Sequence, residues 1–168
     1  MPRTEPIRVL FVCLGNICRS PLAEGVFREQ LREAGLSDRF EVDSAGTSGY
    51  HVGDRPDART AEEARRRGLT LSGRARRMVA ADLDRFDYVI AMDADNLRRV
   101  EALAERRGAA AAELRLLREW DPRSEPGDDG LGVPDPYYGG PGGFAEVHDI
   151  VERSCRGLLD HIRERHGL

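Results

Sequence analysis

The sequence has no lysine: all 26 of its basic residues are arginine. That absence excludes Schiff-base catalysis by a side-chain amine and the lysine of a nucleotide-binding Walker loop. Cysteine is sparse too, at Cys13, Cys18 and Cys155 only. Three cysteines without a leader-like segment do not make a disulfide framework, and no paired Cys or Cys/His spacing suggests zinc. His51, His148, His161 and His166 are scattered, so the sequence predicts neither metal nor other cofactor. No apolar run approaches the roughly 20 residues that cross a bilayer. Residues 1–8 lack the apolar stretch of a secretory leader, and the expectation is a cytoplasmic protein with no membrane partner. Positive charge is also short. A net charge of −4 argues against nucleic acid, whose backbone selects a basic face.

What is present is an ordinary globular composition, 40% hydrophobic and 33% charged, long enough for one domain over residues 1–168. Ile7 to Val12 is a nearly continuous apolar strand. A helix pattern follows, with Ser20 as N-cap and Pro21 at the first helical position. Leu22, Val26, Phe27 and Leu31 give its apolar stripe, and Gly35 ends it. Further strands are expected at Phe40 to Val42, Tyr88 to Met92 and Leu114 to Leu117, with helices over Arg59 to Arg67 and Asn96 to Arg107. Phe144, Val147, Val151, Cys155, Leu158 and Ile162 repeat at helical spacing, which makes Cys155 a core residue. The triple arginine at 65–67 reads as a solvated helix face. Strands alternating with helices predict an α/β fold: a single domain with a four-stranded parallel sheet and helices on both faces, a flavodoxin-like or Rossmann-like three-layer arrangement. Such sheets bind ligands at the carboxyl ends of their strands.

The segment Cys13-Leu14-Gly15-Asn16-Ile17-Cys18-Arg19-Ser20 lies at such an end. A Cys followed six positions later by Arg proves little alone. With three Cys and 26 Arg, chance produces one in about 40% of such sequences. Its position between a buried strand and a helix start carries the argument. Successive amides there can form an anion-binding nest, and the helix dipole adds positive potential. Gly15 suits a turn that side chains would hinder, and Arg19 can offer a bidentate fork to phosphate oxygens. A helix N-terminus or a neighbouring cation also lowers a thiol pKa to about 3.5–7.5, so the donors that bind an oxyanion would activate a cysteine among them.

With the neighbouring valine and proline, this loop resembles the signature of the low-molecular-weight protein tyrosine phosphatases, and the resemblance extends over nearly the whole chain. Residues 42–47 (Val-Asp-Ser-Ala-Gly-Thr) resemble that family's second-strand segment, and residues 87–93 (Asp-Tyr-Val-Ile-Ala-Met-Asp) its third strand. Asp135-Pro136-Tyr137-Tyr138-Gly139 resembles its acid loop. The resemblance implies Cys13 as nucleophile, Arg19 as phosphate ligand and Asp135 as general acid and base. Among the long-loop carboxylates Asp121, Asp128, Asp129 and Asp135, residue type alone does not choose. Leu14, Ile17, Tyr50 and Tyr137 are implied as walls for an aromatic ring. Gly15, Asn16, Cys18 and Ser20 complete the substrate-binding loop, Ser20 holding the thiolate while Asn16 and Ser44 stiffen the backbone. Cys18 either captures an oxidised Cys13 or fills space below the loop. Many relatives carry a histidine in that network where this chain has Gly73, so something else must replace it.

The resemblance implies a metal-independent enzyme, monomeric, acting on phosphotyrosine proteins or peptides. A protein arginine phosphatase is the nearest alternative, although relatives of that preference tend to carry threonine where this chain has Ile17. An arsenate reductase would need resolving cysteines downstream, and only Cys155 is there. A non-catalytic phosphate-binding module would be expected to lack the nucleophile, the arginine or the acid.

Overall fold

The computed structural model describes residues 4–108, 110–124, 131–137 and 142–168. Asp128, Asp129, Tyr138 and Gly139 lie outside them. Four parallel strands form the centre: β1 (Ile7–Cys13), β2 (Phe40–Gly46), β3 (Tyr88–Ala91) and β4 (Glu113–Leu116), in the order β2-β1-β3-β4. β1 has a neighbour on each edge and layers on both faces, so it is buried almost throughout, as its near-continuous apolar run requires. Cys13 pairs in register with Gly46, and Val12 with both Ala45 and Ala91. The carboxyl ends of three strands therefore finish side by side, at the point where the strand order reverses.

Alternate residues of β1 feed two cores. Phe11 packs with Phe27 and Leu22 of α1 (Arg19–Glu33) and with Val151 and Leu158 of α5 (Gly142–His166). Leu10 and Val12 face the opposite layer, where Leu83 of α3 (Asp82–Arg85) and Val100 of α4 (Ala94–Arg107) cover the sheet. α2 (Ala58–Arg66) is capped by the Asp57 carboxylate, which accepts from the amides of Arg59 and Thr60. The helix face at residues 65–67 is solvated, with Arg65 and Arg66 on Glu62 and Arg67 on Glu63. Cys155 is wholly buried, its sulfur 3.8 Å from the Ala23 carbonyl, as its place on the stripe predicts. Among the described residues no helix is long and apolar enough to cross a membrane.

The start of α1 corrects one expectation. The helix begins at Arg19, with Cys18 rather than Ser20 at the cap position, and the Ser20 hydroxyl turns back to the Cys13 sulfur. β2 runs on to Gly46, beyond the expected Val42, because its pairing with β1 continues through the polar residues Asp43 and Ser44. The four-residue α3 was not expected; so short a helix leaves no periodic trace in the sequence.

Asp121 anchors the start of the segment that leads to Asp135. Its buried carboxylate accepts a fork from Arg153, at 3.0 and 3.2 Å, and a further bond from Arg118 at 3.1 Å. Burial alone would raise its pKa; the Arg153 bonds, the Arg123 amide and Arg118 together outweigh burial and hold it down. Asp121→Asn should cost about 1.5–3 kcal/mol of unfolding free energy at pH 7, measured by urea denaturation. The unfolded carboxyl titrates near ~3.9 and the folded one lower. The contribution is thus complete above that value and lost as pH falls through the folded pKa, so the gap between the two proteins should close below about pH 4. A gap independent of pH would contradict this assignment.

Candidate active site

Residues 14–18 wrap from the end of β1 into α1. Asn16 sits there with φ 57, a left-handed backbone that few residues other than glycine adopt. Its side chain holds it there. The Arg76 amide donates to Oδ1 at 3.0 Å, which fixes the amide orientation, and Nδ2 donates to Ser20 Oγ at 2.8 Å and Ser44 Oγ at 3.0 Å. The Cys13 and Leu14 carbonyls accept from the amides of Thr47 and Ser48, each at 2.9 Å, and the Ile17 carbonyl accepts from that of Asp57 at 2.7 Å. The carbonyls are thereby turned outward. Among the described residues none of the amides of 14–18 donates to a protein acceptor, so they remain available to an anion. Cys13 Sγ lies 3.0 Å from Ser20 Oγ at the base of this loop.

Arg19 is 3% exposed and clamped. Its Nη1 donates to Asp93 at 2.6 Å and to the Val133 carbonyl at 3.0 Å, while Nη2 lies 3.5 Å from Asp135. Burial works to depress its pKa, but the Cys13 sulfur, Asp93 and Asp135 outweigh it and raise it. The guanidinium stays charged, with one edge tied down and the other left for oxygens.

The cavity over this loop has a volume of about 420 Å³ and brings together Cys13, Leu14, Gly15, Ile17, Cys18, Arg19, Tyr50, Asp135 and Tyr137, all singled out above from the sequence or the resemblance. Tyr50 is 87% exposed, so it forms a rim rather than an inner wall. Asn16 and Ser20, expected with the substrate-binding residues, direct their side chains beneath the loop and support it. Ser48 and His51 also line the cavity and were not foreseen. The His51 ring packs against Tyr50 and Tyr137, its Nδ1 is 3.1 Å from Asp54, and a Cβ on Gly15 would come within 2.9 Å of it. Arg59 braces Tyr137, bonding its carbonyl at 3.0 Å and covering its ring. Asp135 is half exposed, with Oδ1 accepting from the Tyr137 amide at 3.1 Å.

Gly73, where the resemblance led to the expectation of a missing histidine, is exposed with φ 89 and has no neighbour within 4 Å of a Cβ placed there. The Arg76 amide on Asn16 and the Glu24 carboxylate on Ser44, at 2.7 Å, are the further bonds of the network. Cys18 is a free, buried thiol whose pKa burial pushes up to about 12. Burial likewise raises that of Cys155.

Amides that gather around a thiol set this chain apart from nucleotide-binding loops, which offer a phosphate a lysine, and put it in the class of cysteine-dependent phosphatases. The chain belongs to the low molecular weight phosphotyrosine protein phosphatase family, whose model matches residues 8–167. It is 48% identical to a low molecular weight protein-tyrosine-phosphatase of Streptomyces coelicolor, over 94% of each chain. The crystal structure of YfkJ from Bacillus subtilis superimposes with a TM-score of 0.86 at 40% identity, covering 97% of this chain and 98% of that one. A Drosophila arginine phosphatase also matches with a TM-score of 0.86, at 33% identity over 94% of this chain and 98% of that one.

The three thiols should differ sharply in reactivity. Iodoacetamide at pH 7 is expected to label Cys13 about tenfold or more faster than Cys18 or Cys155, read by peptide mass spectrometry. Labelling of Cys18 should rise only as pH approaches 12 or the chain unfolds. Equal rates for Cys13 and Cys18 in the folded protein would contradict this ranking.

Proposed function

We propose that the protein hydrolyses phosphotyrosine in proteins or peptides through a phosphocysteine on Cys13. The observation that carries this reading is the convergence, in one cavity, of a thiol, a clamped guanidinium and a half-exposed carboxylate with aromatic side chains at the rim. Loop amides and the free edge of Arg19 take the phosphate oxygens. The Cys13 thiolate attacks phosphorus in line, an S–P bond forms, and the P–O bond to the ring breaks. Asp135 delivers a proton to the departing phenolate. Water then attacks phosphorus, gives its proton to Asp135, and phosphate leaves with the thiolate restored. Charge is stabilised throughout by protein donors, so this route requires no metal.

Depth supports an aryl phosphate. Cys13 is almost fully buried while Tyr50 and Tyr137 stand at the mouth, a reach that suits phosphotyrosine better than the shorter phosphoserine. Phosphoarginine is the second reading, favoured by the likeness to the Drosophila enzyme. Ile17 weighs against it, because a β-branched apolar wall gives a guanidinium no hydrogen-bond partner. An arsenate reductase relay lacks support, since Cys155 is sealed in the core. We read the protein as a cytoplasmic monomer without nucleic-acid or membrane partners.

Turnover of p-nitrophenyl phosphate should persist in EDTA, be inhibited by vanadate and vanish in Cys13→Ser. Asp135→Asn should slow hydrolysis of phosphotyrosine peptides by about 10²–10⁴-fold. Competition between phosphotyrosine and phosphoarginine peptides should favour the former. Turnover that survives Cys13→Ser would overturn the mechanism, and preference for phosphoarginine would overturn the substrate.

A further inference from the structure

The polar network under the loop has a direction, and its far end lies on Glu24. A backbone amide can only donate, so the Arg76 N–H requires Asn16 Oδ1 at that position and turns Nδ2 toward both serines. Ser44 Oγ, accepting from Asn16, must send its own proton elsewhere, and Glu24 Oε1 is 2.7 Å away. Ser20 Oγ likewise accepts from Asn16, and its proton has the Cys13 sulfur at 3.0 Å as the near acceptor and the Ala45 carbonyl, at 3.5 Å, as the far one. An ionised carboxylate can only accept. We infer that Glu24, as a carboxylate, is a positioning residue: by drawing the Ser44 proton to itself it locks the Asn16 amide so that Ser20 donates to the Cys13 thiolate. This rests on the reading of Cys13 as nucleophile.

Without that acceptor, the Ser44 proton competes for the space of the Asn16 N–H. With the Asn16–Ser44 bond weakened, Asn16 would hold Ser20 less firmly, and the Ser20 hydroxyl would turn from sulfur toward the Ala45 carbonyl, 3.5 Å away. Glu24 is held on the other side by Arg28, at 2.8 Å, one turn along α1. Asp43 of β2 adds its charge and is itself paired with Arg76, while Arg74 borders the same cavity of about 280 Å³ beside Gly73. Burial raises the Glu24 pKa, Ser44 and Arg28 oppose that rise, and Asp43 adds to it. In acid the lock should therefore release sooner than an ordinary carboxylate would allow.

The sign of the effect separates this relay from plain Coulomb attraction. Removing a negative charge near a thiolate favours the thiolate, whereas breaking the relay disfavours it. The pH profile of Cys13 alkylation by iodoacetate, followed at the Cys13 peptide, reads this directly. In Glu24→Leu, which removes the acceptor as well as the charge, the midpoint should move up by roughly half a unit to one unit, or about three- to tenfold less thiolate below the midpoint. Ser44→Ala should move it the same way, and adding Glu24→Leu to Ser44→Ala should add little, the mark of one coupled chain. A midpoint that falls or stays fixed in Glu24→Leu, or shifts that add fully in the double variant, would overturn the inference. If Glu24→Leu does not fold, an unchanged midpoint in Ser44→Ala does so alone. Wild-type turnover that survives Cys13→Ser would instead fail the underlying mechanism, so the two failures are distinguishable.

Discussion

A left-handed backbone at a residue other than glycine costs about 1–3 kcal/mol, and at Asn16 that cost falls in the middle of the loop that carries the thiol. Three hydrogen bonds of one buried side chain offset it, each contributing about 0.5–1.5 kcal/mol. Freed of that amide, residues 14–18 could turn carbonyls inward, and an arriving oxyanion would meet oxygen instead of N–H. Outward bonds to Thr47, Ser48 and Asp57 hold the same arrangement from β2 and the segment before α2. The anion cup is thus a property of three chain segments, not of the loop alone.

Charge is arranged unequally around Arg19. Asp93 grips it at 2.6 Å from the cap of α4, where it also accepts from the Asn96 amide. Asp135 stands farther off, at 3.5 Å, and more exposed. A group that only orients a cation can be held fast, whereas one that gives and takes a proton has to move between partners. The two carboxylates are separated along that line.

Much of this was legible in the sequence, and for identifiable reasons. The apolar run of β1 and the three- and four-residue repeat of α5 follow directly from burial, and the strand-to-helix position of Cys13 and Arg19 follows from them. Ser20 was misread as a cap because a serine before Pro21 looks the same whether its hydroxyl serves a backbone amide or a sulfur. Asp93 left no local sign of its role, since only the crossover from β1 to β3 brings it to Arg19. His51 and Ser48 sit in an irregular segment, where a single polar residue carries no period to be read. Nothing in the sequence marks Glu24, because an acid on a helix gives no sign of the Ser44 hydroxyl that β2 brings across from it.

Whether Cys13 becomes covalently phosphorylated tests the account most directly. Rapid acid quench of a turnover mixture with p-nitrophenyl phosphate, followed by peptide mass spectrometry, should find one phosphoryl group on the peptide that contains Cys13. Its amount should rise within the first turnover and increase in Asp135→Asn, where hydrolysis of the intermediate loses its base. A phosphoryl group on another residue, or steady turnover with none trapped on Cys13 in either protein, would contradict the account.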